Sequence, residues 1–193
     1  MRPVELKPGD VILYRNNGWL GSAISWGQWR GTSKEALEYS HIGVVYDFIR
    51  SFEMNPPAAR LFSLNEVPWD RVDVWRVSVD GANPFDQAAV VAAFQKACDS
   101  RVGEKYNYGY IASLLGMGLL SRVGLGGVSR WLLGKANPAP AMHRDICSTC
   151  ADEVLTAGIS LIKPDFDFFD DLGPDQAAPS DYPRSKYLVR VEG

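Results

Sequence analysis

The sequence predicts an α+β fold, in which helices pack on a small antiparallel sheet or barrel. Short β-rich segments separated by turn signals come first, helical spacing begins after them, and one more β-rich segment closes the chain. A length of 193 residues suits one domain, and no internal repeat or linker divides the chain. We therefore expect a single domain over residues 1–193.

The predicted strands have short apolar runs or alternate apolar and polar residues with a period of two. They are DVILYR (10–15), YSHIGVVYD (39–47), IRSFEM (49–54), RVDVWRVSV (71–79) and KYLVRV (186–191). A polar turn near Asp47 joins the second strand to the third, which predicts that these two strands are neighbours in the sheet.

The predicted helices are marked by apolar residues at helical spacing and by capping signals. They cover residues 18–30, 84 to about 100, 108–120 and 146–158. The helix at 84 follows Asn83-Pro84, a cap and first-turn signal. The helix at 108–120, a glycine-rich break at GLGGV (124–128) and a short helix through SRWLLG (129–134) together make the hydrophobic helical insertion that we expect over residues 108–134.

Composition excludes some classes of function and environment. The formal charge of −3 provides no basic field, so we expect no nucleic-acid partner. Three cysteines do not form a disulfide framework, and no signal peptide or membrane-spanning run is evident. We expect a cytoplasmic protein with free thiols, and leave open export by a signal-independent route and the oligomeric state.

Residues 143–155, HRDICSTCADEVL, contain the residues best suited to chemistry. Cys147 begins the predicted helix, where free backbone N–H groups and the helix dipole favour an anion. Cys147 and Cys150 could instead form a redox pair, or could bind zinc together with His143, but a late C-x-x-C without a second ligand pair favours neither. We interpret Cys150 and Cys98 as core residues.

A nucleophilic thiol needs a base, and His41 and His143 are the two histidines of the chain. We favour His41, which lies on a predicted strand, because residues just before a helix usually point away from its first turn. Glu53 lies on the adjacent predicted strand and could orient His41 as the third member of a triad. Alternatively, His41 is a buried core residue and Glu53 faces water.

Six fragments in this order resemble a known family. They are GDVILYR (9–15), YSHIGVVY (39–46), a carboxylate, GEKYNY (103–108), CSTCADEVL (147–155) and PSDYPRS (179–185). The chain resembles the circularly permuted papain-like cysteine hydrolases of the NlpC superfamily, in the YiiX-like branch. That resemblance implies a permuted papain-like fold in which Cys147 is the nucleophile, His41 the base and Glu53 the third member. Tyr14, Tyr106 and Tyr108 match aromatic positions of the family, and we assign them no catalytic role.

The resulting prediction is a thiol hydrolase that cleaves an amide or peptide bond through a thioester, with no metal or organic cofactor. The resemblance suggests peptide or other amide-linked small substrates. A lipid acyl hydrolase or acyltransferase related to lecithin retinol acyltransferase is the alternative, because residues 111–133 could contact lipid or an acyl chain. A non-catalytic binding module on the same scaffold is the third possibility.

Overall fold

The computed structural model describes residues 5–15, 38–106, 147–169, 179 and 181–191. They form an α+β fold with one six-stranded sheet. The strands are β1 (Val11–Arg15), β2 (Tyr39–Val45), β3 (Arg50–Asn55), β4 (Ala58–Ser63), β5 (Val72–Val77) and β6 (Leu188–Arg190). Their order is β4-β3-β2-β1-β5-β6, and every neighbouring pair is antiparallel.

Two α-helices lie within the described residues, α1 (Ala88–Arg101) and α2 (Cys147–Ile159). They pack against each other through a shared apolar core, and α2 also contacts β2 and β3. Gly158 permits the close approach of the helices, because a Cβ atom there would lie 3.0 Å from both the Phe94 Cβ and the Val90 carbonyl oxygen. This packing holds the first residue of α2 beside the sheet.

The start of β2, two residues before His41, is held by a buried carboxylate on β5. The Tyr39 hydroxyl donates to Asp73 at 2.5 Å, and the Arg15 and Arg190 guanidinium groups donate to the same carboxylate. Burial opposes ionisation of Asp73, but these hydrogen bonds and charges hold its pKa below the ordinary value. Asp73 thus links four strands of the sheet.

The five predicted strands are present, and two details differ from the sequence prediction. The first helix begins at Ala88, because residues 84–86 form a separate 3₁₀ turn in which the Asn83 side chain accepts from the Phe85 N–H. Strand β4 was not predicted; it lacks a clear period-two pattern and follows Pro56-Pro57.

Part of the prediction lies outside the described residues. That part comprises the helices expected at 18–30 and 108–120, the insertion at 108–134 and His143. In the described part of the chain, no helix combines the length and apolar character needed to span a membrane.

Candidate active site

Two of the three predicted site residues are hydrogen-bonded on neighbouring strands. His41 Nε2 lies 3.0 Å from Glu53 Oε2, and an ionised carboxylate can only accept, so the imidazole donates. Glu53 is 4% exposed, which contradicts the alternative that it faces water. Since Nε2 is bonded to Glu53, Nδ1 is the ring nitrogen left for another partner.

The third residue, Cys147, is the first residue of α2 and interacts with the same imidazole. Burial lowers the pKa of His41, but hydrogen bonds with the Cys147 thiol and the Glu53 carboxylate outweigh it and raise the pKa to about 10. Cys147 is 6% exposed. His41 therefore lies between a thiol and a carboxylate, the arrangement that proton transfer from the thiol requires.

Two hydroxyl groups hold the other oxygen of Glu53. The Tyr14 hydroxyl donates to Oε1 at 2.6 Å, and the Ser51 hydroxyl donates to the same atom at 2.8 Å. Burial alone would raise the pKa of Glu53, but hydrogen bonds from His41, Tyr14 and Ser51 hold it below its ordinary value. Glu53 is thus an anion with donors on both oxygens.

Strand register explains why these polar side chains meet. Tyr14 pairs directly with His41 across β1 and β2, and the pairing of Val45 with Ser51 aligns β2 with β3. Side chains two residues apart on a strand share a face. The register therefore places Tyr14, His41, Ser51 and Glu53 on one face of three adjacent strands.

Gly43 lies on the same face, between His41 and Val45, and leaves room for Glu53. A Cβ atom at this position would lie 2.8 Å from the Glu53 Cγ and 3.2 Å from its Oε1. Any larger residue would displace the carboxylate that His41 contacts. The site therefore depends on a glycine that has ordinary backbone angles and is required only for its size.

We expect Gly43→Ala to fold but to lower the reactivity of Cys147 roughly tenfold, because the added methyl group pushes Glu53 away from His41. The measurement is the rate of Cys147 alkylation by iodoacetamide at pH 6. Gly158→Ala is the matched control, because it overpacks the contact between α1 and α2 instead. If the two variants label Cys147 equally fast, Gly43 has no specific role in the site.

The first turn of α2 is also held from the C-terminal segment. The fully buried Tyr182 hydroxyl donates to the Ser148 carbonyl oxygen at 2.9 Å, one residue after Cys147. Tyr182 belongs to the fragment PSDYPRS, and it packs against Phe168 and Phe169. This contact fixes the helix end that presents the thiol.

The other cysteines lie in the core, as predicted. Cys98 and Cys150 are 0% exposed, and all three cysteines are free thiols. Burial, together with the neighbouring Cys150, raises the pKa of the Cys98 thiol. Within the described residues, no group of three His, Cys, Asp or Glu side chains is placed to hold a metal ion. His143, the rival base and possible zinc ligand, lies outside them.

A second buried carboxylate lies on α2. Asp152 is 7% exposed, and its Oδ1 has no hydrogen-bond partner within the described part of the chain. Burial, together with the nearby charges of Asp167 and Glu153, raises the pKa of Asp152 to about 7. Helical spacing does not predict this, because it does not show which polar residue has a hydrogen-bond partner.

Sequence reasoning also missed Ser51 and Gly43, and it assigned Tyr14 no role. Period-two spacing along each strand was a usable signal, but it becomes informative only when the register between strands is known. Comparison with known proteins adds no assignment, since no family model matches the sequence and no curated protein is significantly similar to it.

Proposed function

We propose that this protein is a cysteine hydrolase that cleaves an amide or peptide bond, with Cys147 as nucleophile, His41 as base and Glu53 as orienting anion. The observation that carries the proposal is the position of His41. Its Nε2 is bonded to Glu53 at 3.0 Å, and the Cys147 side chain is near enough to the same ring to help raise its pKa. A structural histidine needs one such partner, whereas an acid–base catalyst needs a thiol on one side and an anion on the other.

The reaction begins from a thiolate–imidazolium pair, in which His41 has already taken the thiol proton through Nδ1. The sulfur attacks the substrate carbonyl carbon, and the carbonyl electron pair moves to oxygen. The backbone N–H of Cys147, at the start of α2, is the candidate donor to that oxyanion. The carbon–nitrogen bond then breaks, the amine leaves with the proton from His41, and a thioester remains on Cys147.

Hydrolysis of the thioester uses the same groups in reverse. His41 removes a proton from water, the resulting hydroxide attacks the thioester carbon, and the Cys147 thiolate leaves. A carboxylic acid is released and the free enzyme is restored. Each step needs one proton carrier and one anion beside it, both of which the site contains.

The permuted papain-like fold of the NlpC superfamily is part of this proposal. Histidine precedes cysteine in the chain, the cysteine begins a helix, and that helix packs on an antiparallel sheet that carries His41 and Glu53. These features match what the resemblance implies, and they support hydrolysis of peptide or amide-linked small substrates.

The test is the pH dependence of iodoacetamide labelling, read for each cysteine by peptide mass spectrometry. In the wild type, we expect Cys147 to label faster below pH 8 than in His41→Ala, because His41, whose pKa is raised to about 10, lies beside the sulfur as a cation over this range. In His41→Ala, the rate should instead rise about tenfold per pH unit below pH 8, as for an ordinary thiol.

Controls are available in the same molecule. Cys98 and Cys150, both 0% exposed, should label slowly at every pH. His143→Ala removes the rival base and should leave the Cys147 profile unchanged. An ordinary thiol profile at Cys147 in the wild type would overturn the hydrolase and favour a non-catalytic binding module. A change in His143→Ala alone would assign the base to His143.

A further inference from the structure

The two oxygens of the Glu53 carboxylate have different hydrogen-bond partners. Oε1 accepts from two hydroxyl groups, those of Tyr14 at 2.6 Å and Ser51 at 2.8 Å, whereas Oε2 faces His41 at 3.0 Å. A carboxylate in water rotates freely and exchanges its two oxygens. Here, a half-turn would only exchange two equivalent oxygens, but any other orientation would break hydrogen bonds inside a site where Glu53 is 4% exposed, and buried donors without partners are destabilising.

We propose that Tyr14 and Ser51 are positioning residues, which hold Glu53 so that Oε2 faces His41 and thereby keep His41 Nδ1 open to the Cys147 thiol. The inference rests on the proposed function for its consequence in catalysis, but the geometry that supports it is independent of any substrate. Neither residue belongs to the predicted triad, and neither has to touch a substrate to act in this way.

Tyr14 is well suited to this role. It pairs directly with His41 across β1 and β2, and the two rings are 5.1 Å apart between centroids. Burial, followed by the charge and hydrogen bond of Glu53, raises the pKa of Tyr14 above its ordinary range. The phenol therefore stays protonated at every pH at which the site would work, so it always remains a donor to Glu53.

The orientation has a chemical consequence for His41. With Oε2 accepting from Nε2–H, the neutral imidazole carries its lone pair on Nδ1, where the thiol proton must go. If the carboxylate turned or withdrew, the neutral ring could carry its proton on Nδ1 instead. That tautomer cannot accept a proton from the thiol. The two hydroxyl groups thus select the useful tautomer without contacting His41 by a hydrogen bond.

The test is the imidazole ¹⁵N NMR titration of His41 in protein labelled at histidine, with His143→Ala used to assign the two ring signals. We expect Tyr14→Phe to lower the pKa of His41 by about one unit and Ser51→Ala to lower it by a smaller amount. Labelling of Cys147 at pH 6 should slow about three- to tenfold in Tyr14→Phe, because a smaller fraction of the protein then holds Cys147 as a thiolate paired with the His41 imidazolium.

Tyr46→Phe is the matched control, because the Tyr46 hydroxyl also donates to a carboxylate, Asp99, at 3.0 Å, but away from the site. It should leave both the ¹⁵N titration and the labelling rate unchanged. A purely structural hydroxyl would alter only the unfolding midpoint. An unchanged His41 titration in the Tyr14→Phe/Ser51→Ala double variant would overturn the positioning role.

The NMR readout separates failure of this inference from failure of the proposed function. If Cys147 labelling is independent of His41, the hydrolase is wrong, yet the His41 titration still shows whether Tyr14 and Ser51 hold Glu53. If Tyr14→Phe does not fold, Ser51→Ala decides by the same titration, since it removes the second donor to the same oxygen.

Discussion

Replacing Glu53 with glutamine is expected to slow Cys147 alkylation at pH 6 roughly 100-fold while the protein stays folded. The size of this effect follows from the fraction of thiolate, because a thiol of ordinary pKa ~8.5 is about 0.3% ionised at pH 6. A lower intrinsic nucleophilicity of the paired thiolate offsets part of that factor. The loss should match that of His41→Ala, although the histidine is still present.

The reason is the orientation that the glutamine amide must adopt. The hydroxyl groups of Tyr14 and Ser51 donate to Glu53 Oε1, so the amide oxygen is the atom that replaces it. The amide NH₂ group then faces His41 Nε2, which must accept rather than donate. The proton of the neutral ring moves to Nδ1, so the ring can no longer take the thiol proton there.

The matched experiment adds Tyr14→Phe and Ser51→Ala to Glu53→Gln. Without the two hydroxyl groups the amide can turn its oxygen to His41, and we expect the triple variant to label Cys147 faster than Glu53→Gln alone. In that case the two added substitutions would restore part of the labelling rate that Glu53→Gln removes, so the effects of the three substitutions would not be additive. A simple loss of stability does not produce such a recovery. If Glu53→Gln labels at the wild-type rate, Glu53 does not set the state of His41.

The part of the site that could be predicted from sequence is the part that depends on residue type. Few residues can act as a nucleophile or a base, so Cys147 and His41 followed from the scarcity of cysteine and histidine. Glu53 followed from the expected hairpin of β2 and β3, and its 3.0 Å contact with His41 confirms that the two are neighbours. Their chemical roles remain proposals.

The rest depends on register and packing, which single-sequence patterns do not determine. Ser51 and Gly43 are ordinary strand residues until Val45 is paired with Ser51. Strand β4 pairs with β3 along its whole length, although Ala58-Ala59-Arg60 has little preference for strands. The capping signal predicts a helix from residue 84, four residues before α1 begins, because such a signal does not distinguish a 3₁₀ turn from the first turn of a helix.

Asp152 provides the second large prediction, an effect on stability whose sign depends on pH. The pKa of its carboxyl group is raised to about 7 in the folded protein, against 3.8 for the ordinary side chain. Between these two values the unfolded chain has released the proton and the folded chain still holds it. The free energy of unfolding contributed by Asp152 therefore falls as pH rises from about 4 to 7, and stays low above pH 7.

Asp152→Asn removes this titration and keeps the size of the side chain. We compare the free energy of unfolding of the variant with that of the wild type at each pH. We expect the difference, variant minus wild type, to rise by about 2–4 kcal/mol from pH 4 to pH 8. Comparing the two pH values cancels any constant effect of the new amide. The measurement is urea unfolding of both proteins at each pH. One slope of the free energy of unfolding against urea concentration is fitted to both proteins.

Asp73→Asn is the matched control, because Asp73 is also 7% exposed but its pKa is lowered. For a lowered pKa, the stabilisation is present above the ordinary value and is lost only as pH falls below it. Asp73→Asn should therefore weaken the protein at both pH 8 and pH 4, whereas the effect of Asp152→Asn should become more favourable between pH 4 and pH 8. If both variants weaken the protein equally at pH 8 and pH 4, Asp152 is ionised in the fold and has a partner. If only the effect of Asp152→Asn becomes more favourable between pH 4 and pH 8, the helix that begins with Cys147 carries a buried acid that takes up a proton near neutral pH.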